Sequence, residues 1–242
     1  MTGAFTLVLE TSTPHASLAS IERDGRLKQR EFTSDRSHNA RMFSPLKELL
    51  DARDEDAIGL VLVGSGPGSY SGTRVGIAAA QGVAIAAGCP AVALPSILAV
   101  ASAEGGAACV AIGDARRGSY WTARMEHYRL LAEPELTDAG GLAVIVLESI
   151  TAGIPVFSFE DAARFPLLPE LLSQVRLEFP NAQRLWRAWE LTDPATRDLW
   201  TRATPQPIYL KPPHITPAKR PWRVPPVPGS DNIDHQSGSI CP

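Results

Sequence analysis

Hydrophobic positions follow two rhythms along this chain. Phe5 to Glu10 is a short continuous apolar run, as expected of a strand buried on both faces. Ala16 to Arg23 reads as a second strand across the Thr11-Ser12-Thr13-Pro14 turn, and the Asp24-Gly25 turn leads to a third at Lys28 to Phe32. From Ser37 to Arg53 the rhythm becomes helical, with Met42, Leu46, Leu49 and Leu50 recurring on one face. Leu60 to Val63 returns to strand and runs into a glycine-rich turn over 64–68. A small-residue helix follows from Ser71 to Ala87, ended by Gly88 and Pro90, and Ala91 to Leu94 is a further strand.

The pattern restarts after Gly105-Gly106. Cys109 to Ile112 and Tyr120 to Met125 are predicted strands around a polar turn at Asp114 to Gly118, and Val144 to Leu147 and Val156 to Phe159 are predicted strands of the same half. Helices are expected over Leu167 to Val175 and Asn181 to Leu191, with a short terminal strand at Ile208 to Leu210. Two halves of strands followed by helices predict an α/β fold, divided at 1–105 and 106–211. Seven prolines crowd Pro212 to Pro228, so 212–242 is expected to be a disordered tail.

Composition narrows the class. Apolar residues make up 44% and charged residues 20%, with mean hydropathy −0.04, as in a soluble globular protein. A net charge of −3 argues against a stand-alone RNA binder, so any service to RNA runs through a partner. Three cysteines, Cys89, Cys109 and Cys241, follow neither a zinc nor a disulfide spacing and fit a reducing compartment. The N-terminus enters its first strand with no basic leader, and Val75 to Leu94 is broken by Gln81, Gly82, Gly88 and Pro90. A cytoplasmic protein with no membrane span is expected.

The segment Gly66-Pro67-Gly68-Ser69-Tyr70-Ser71-Gly72-Thr73-Arg74-Val75-Gly76 joins a strand to a helix. It lacks the Gly-Lys-Ser/Thr of a Walker loop, and Gly68, Gly72 and Gly76 repeat every four residues rather than as a dinucleotide fingerprint. Glycine on one helical face lowers helix stability by about 1 kcal/mol per residue, so close packing is the return. That packing is equally well internal or against another protein. Arg74 sits in the first turn, where the helix dipole disfavours a cation, and so calls for a specific partner such as a carboxylate or phosphate.

This run, continued by Ala80-Gln81-Gly82-Val83-Ala84, resembles the signature of the TsaB family. Leu9-Glu10-Thr11-Ser12-Thr13, Ile112-Gly113-Asp114-Ala115-Arg116-Arg117-Gly118 and Pro207-Ile208-Tyr209-Leu210-Lys211 resemble three further family segments in the same order. The resemblance covers Phe5 to about Lys211 and is weak from Arg129 to Thr204. It implies two related actin-like (ASKHA) lobes, the first more complete and the second smaller and degenerate. It also implies a non-catalytic scaffold for making threonylcarbamoyladenosine on tRNA, paired with the metal-holding TsaD and, within the complex, with the ATPase TsaE. Transfer RNA is then met only through the complex.

By the same resemblance, the partner surface is the face of the first lobe's two helices. Met42, Leu46, Leu49 and Leu50 would supply bulk, and Gly72, Gly76, Ala79, Ala80 and Val83, with Arg74, the thin surface. Glu10, Thr11, Thr13, Gly66 and Gly68 would lie nearest any ATP or ADP held at the partner interface, although a role in capping the first hairpin is preferred for them. Glu10 stands where the superfamily has aspartate, and Pro14 and His15 thicken the phosphate loop, so no cofactor of the chain's own is expected. His38 is followed four residues later by Met42, and His15, His127, His214 and His235 stand alone, so neither metal ligands nor catalytic residues are assigned. Ser69 and Ser71 lack a histidine in context, which speaks against a peptidase. Asp114 and Arg116 either form a structural ion pair, the preferred reading, or face the cleft between the two lobes. The competing readings are a stand-alone ATP-dependent kinase or transferase of the superfamily, and a homodimer using the same helix face.

Overall fold

The computed structural model describes residues 5–33, 38–53 and 57–210. The expected tail at 212–242 and the helix entry at 36–37 lie outside these residues. The first lobe runs through β1 (Phe5–Glu10), β2 (His15–Ile21), β3 (Leu27–Thr33), α1 (His38–Asp51), β4 (Ile58–Gly64), α2 (Tyr70–Ala87) and β5 (Ala91–Leu94). Its sheet has the order β3-β2-β1-β4-β5, with antiparallel pairs β1–β2 and β2–β3 and parallel pairs β1–β4 and β4–β5.

The second lobe holds β6 (Cys109–Asp114), β7 (Tyr120–Glu126), β8 (Arg129–Leu130), β9 (Glu135–Thr137), α3 (Ala139–Thr151), β10 (Val156–Ser158), α4 (Pro169–Leu172) and β11 (Val175–Leu177). Its sheet has the order β11-β10-β6-β7-β8, with β9 also on β7. An antiparallel β6–β7 hairpin and parallel β6–β10 and β10–β11 pairs repeat the first lobe's β1–β2, β1–β4 and β4–β5. The outer strands are reduced to two or three residues, which makes this the degenerate copy of a two-lobe actin-like fold. Two helices close the described chain, α5 (Ala182–Leu191) and α6 (Pro194–Arg202).

The strand period of two places the cores. In β1, Phe5, Leu7 and Leu9 face α1 and α2, joining Met42, Leu46, Leu49, Ile77 and Ala80, while Val8 points to the opposite face. There Ala182 and Leu185 of α5 cover Val8, Ala19, Leu62 and Val92, so a helix from the end of the chain seals the first sheet. β6 divides likewise: Val110 and Ile112 meet Leu142 and Val146 of α3, and Cys109 and Ala111 meet Met125 and Phe157.

Three expectations are corrected. Val144 to Leu147 is not a strand but the middle of α3, whose N-cap Asp138 accepts from the Gly141 amide and whose inward residues are Leu142, Val146 and Ser149. The helix expected at Leu167 to Val175 shrinks to the single turn of α4, followed by β11. Ile208 to Leu210 is no strand; its Ile208 amide donates to the Ser65 carbonyl at 2.9 Å. The Asp193-Pro194 start of α6, an N-cap aspartate followed by proline, went unread in the sequence.

Candidate functional site

The glycine-rich signature is fastened onto the β1–β2 turn. The Ser69 amide donates to the Ser12 carbonyl at 2.6 Å, and Thr11 Oγ1 donates to the Gly72 carbonyl at 2.8 Å. A Cβ at Gly68 would run into the Ser12 carbonyl, and one at Gly76 into Thr11 Oγ1. One at Gly64 would strike the Glu10 carboxyl and Ser96 Oγ. Ser96 clamps the loop from the far side, its Oγ accepting from the Gly66 amide at 3.0 Å and its amide donating to the Gly66 carbonyl at 2.8 Å. Ser69 is the N-cap of α2, with Oγ accepting from the Gly72 amide at 3.2 Å. The glycines therefore serve internal packing, bringing loop and helix within van der Waals reach of the first hairpin.

Glu10 is fully enclosed by this arrangement, with 0% exposure. Its Oε1 accepts from the Ser12 amide at 2.8 Å, while its Oε2 is buried without a hydrogen-bond partner. Burial pushes the Glu10 carboxyl above its ordinary value, and the hydrogen bonding with Ser12 pulls the other way less strongly. Thr11 and Thr13 are buried too, Thr13 Oγ1 donating to the His15 carbonyl at 3.1 Å. Of the five residues expected nearest a nucleotide, Glu10, Thr11, Thr13 and Gly66 are buried and only Gly68 is exposed. The turn of the first hairpin is covered by the chain's own glycine-rich loop.

The second lobe's equivalent strand end carries Asp114. Its Oδ1 accepts from the Arg116 amide at 2.7 Å and its Oδ2 pairs with the Arg116 guanidinium at 3.2 Å, so the two residues do form a structural pair. Arg116, Arg117 and Gly118 all have positive φ, and the Asp114 contacts hold that strained turn.

Arg74 finds an aromatic partner rather than the expected carboxylate or phosphate. Its guanidinium lies 3.5 Å from the Tyr70 ring centroid and donates to the Tyr209 hydroxyl at 3.0 Å. Residues from two distant motif segments thereby meet at the start of α2. His15 stacks on Phe179 with centroids 4.1 Å apart, and His127 lies 3.9 Å from Glu126. His214, His235 and the side chain of His38 lie outside the described residues.

The two helices expected to meet a partner form where the sequence placed them, but other residues than those expected face solvent. Met42, Leu46 and Leu49 are core side chains, Leu49 with 0% exposure, and Gly72, Gly76 and Ala80 are buried beneath α2. The expectation that they touch a partner is corrected by that burial. Leu50, Arg74, Ala79 and Val83 are half-buried. Solvent instead meets Ala78, Gly82, Ile85 and Ala86, a stripe at helical spacing on α2, with Ile85 at 82% exposure. Tyr70 at the head of the same helix and Phe43 on α1 are also exposed, at 68% and 56%. The missed signal was Ile85, the bulky apolar residue placed opposite the inward Ile77, Ala80 and Ala84.

Comparisons with known proteins agree with this geometry. A family model described as TsaD, tRNA N6-adenosine threonylcarbamoyltransferase, matches residues 31–173, more than half of the chain. The protein named tRNA threonylcarbamoyladenosine biosynthesis protein TsaB from Escherichia coli K12 is 30% identical over 122 residues, 48% of this chain and 52% of that protein. The protein of the same name from Haemophilus influenzae is 32% identical over 99 residues, 40% of this chain and 42% of that protein. This chain belongs to the TsaD-related TsaB/YeaZ family. It spans about half the length of the curated relatives it matches. Two solved Pseudomonas aeruginosa structures extend the likeness to the fold. One, described as similar to peptidase YEAZ, has TM-score 0.64 at 23% identity, covering 86% of this chain and 100% of its own. The other, described as YeaZ, has TM-score 0.60 at 22% identity, with the same coverage. Among the described residues no helix is long and apolar enough to cross a membrane, and no group of three or more His, Cys, Asp or Glu side chains is placed to hold a metal.

Proposed function

We propose that this TsaB/YeaZ-family chain is a non-catalytic scaffold and activator in the synthesis of N6-threonylcarbamoyladenosine on tRNA, pairing directly with TsaD and, through the complex, with TsaE. The observation that carries the reading is the exposed α2 stripe of Ala78, Gly82, Ile85 and Ala86. Small residues let a partner helix approach closely, and Ile85 offers a bulky apolar side chain that gains by leaving water. The chain's net charge of −3 suits a subunit that meets tRNA through its partners. The loop packed onto Glu10 and Thr11 favours a supporting role over a kinase or transferase reaction at the first hairpin, so any ATP or ADP belongs at the TsaD interface. Without TsaD the same apolar stripe would pair with a second copy of the chain.

A reconstituted reaction tests this. TsaD and TsaE from the same organism, with the threonylcarbamoyl donor and unmodified tRNA, are incubated with and without this protein, and the modified nucleoside is measured by mass spectrometry. Product that depends on this protein, and is lost with the folded Gly82→Arg variant, supports the reading. Equal product without the protein, or ATP turnover by the protein alone, contradicts it.

A further inference from the structure

A cavity of about 380 Å³ opens at the junction of β5, β8 and α6. Ser65 and Pro95, the residues directly after β4 and β5, form one wall. The space therefore lies off the carboxyl ends of two parallel strands, where open α/β sheets tend to place ligands. Neither Glu10 nor Asp114 borders it, and no lining residue comes from α1 or α2. It is separate from both the first hairpin and the proposed partner stripe.

The polar groups around this cavity carry opposite charges that are not spent on each other. Arg129, which opens β8, and Glu133, just beyond that strand, both line it. Among the described residues neither makes an ion pair or a side-chain hydrogen bond. The carboxylate that feels Arg129, Asp193, already accepts from the Thr196 amide at 3.0 Å and from the Thr196 hydroxyl at 2.7 Å. The half-buried indole of Trp200, one helical turn beyond Thr196, adds an apolar wall. The size falls in the lower part of the range of roughly 300–1,000 Å³ usual for small-molecule pockets.

We propose that this cavity binds a small zwitterion of the α-amino acid class. The guanidinium of Arg129 takes the carboxylate, for which its planar fork is suited, and Glu133 takes the ammonium group. The side chain of the ligand lies along Trp200. An anion alone would be repelled by Glu133 and a cation alone by Arg129, so the pair selects a ligand carrying both charges.

The test titrates the full-length protein with each standard L-amino acid by ligand-observed NMR, then measures the best binder by calorimetry. Saturable binding with a dissociation constant of about 1 mM or tighter is expected. Arg129→Met and Glu133→Gln should each weaken it at least about tenfold, because each removes a charge-assisted contact. Both variants sit at exposed positions and should keep the wild-type melting temperature. The decarboxylated amine of the best binder should fail to bind. Absence of saturation by every amino acid overturns the proposal, as does binding that survives both substitutions. Gel filtration of the same variants with TsaD keeps the two readings apart, since loss of the amino acid site leaves pairing through α2 intact.

Discussion

Replacing Glu10 by glutamine probes the packing of the signature loop at its centre. Wild-type Glu10 has one oxygen on the Ser12 amide and the other buried with no partner beside Gly64. Burial is the largest influence on this carboxyl and raises it above 4.5, its value in an unfolded chain. Below that unfolded value both states hold the proton, and the group gives stability no pH dependence. As pH rises through it, the unfolded chain releases the proton while the folded chain keeps it, so folding stability falls until the raised folded value is passed, then levels off. Within that window one proton changes stability by about 1.4 kcal/mol per pH unit. Glutamine keeps the acceptor for Ser12 and never ionises. The difference in unfolding free energy, E10Q minus wild type, should thus be small in acid, grow with that slope above the unfolded value, and plateau in E10Q's favour. Urea denaturation at a series of pH values measures it. A difference that stays flat with pH, or that favours wild type at neutral pH, would refute the account of a buried acid that holds its proton more tightly than the unfolded chain does.

Other expectations rest on separate contacts. Gly76→Ala should destabilise, because overpacking against Thr11 Oγ1, about 1–3 kcal/mol, outweighs a helix-propensity gain of about 1 kcal/mol. Gly82→Ala, with nothing within 4 Å of the new methyl group, should stabilise by about 0.5–1 kcal/mol in the same denaturation assay. Leu49→Ala removes a fully buried side chain between α1 and the first sheet and should lower unfolding free energy by about 2–5 kcal/mol. Cys109, buried and with its thiol pushed up to about 12, should escape alkylation in the folded protein at neutral pH and react once urea unfolds it, as peptide mass spectrometry would reveal.

The first lobe was readable because its local signals agree with one another. Continuous apolar strands, a Gly88 cap in left-handed conformation and a glycine turn all point to the same β-α-β arrangement. The second lobe was less legible. Val144, Ile145 and Val146 look like strand residues in isolation, and only the Asp138 cap and the inward spacing of Leu142, Val146 and Ser149 make α3 helical. Strands β8, β9 and β11 are too short to show a period and exist through pairing with distant neighbours. On α1 and α2, both located from the sequence, six of the residues expected on the surface are buried instead. Ala78 and Ala80 are chemically identical, and which one packs into the core with Val63 and Ile77 depends on a sheet the helix cannot announce by itself. The Tyr70–Arg74–Tyr209 contact joins positions 135 residues apart, beyond any local pattern.

The central claim is that the exposed stripe of α2 is where TsaD is held. Size-exclusion chromatography with light scattering on mixtures with TsaD, using wild type, Ile85→Arg and Ala80→Arg, tests it most directly. Ile85 is exposed, so its arginine variant should fold normally, judged by circular dichroism and melting, yet give no complex. Ala80 has 0% exposure, so its arginine variant should fail to fold stably and serves as the contrast. A heterodimer with wild type that is absent with folded Ile85→Arg is the predicted result. A folded Ile85→Arg protein that pairs with TsaD as well as wild type does, or a wild type that pairs with it not at all, would contradict the account.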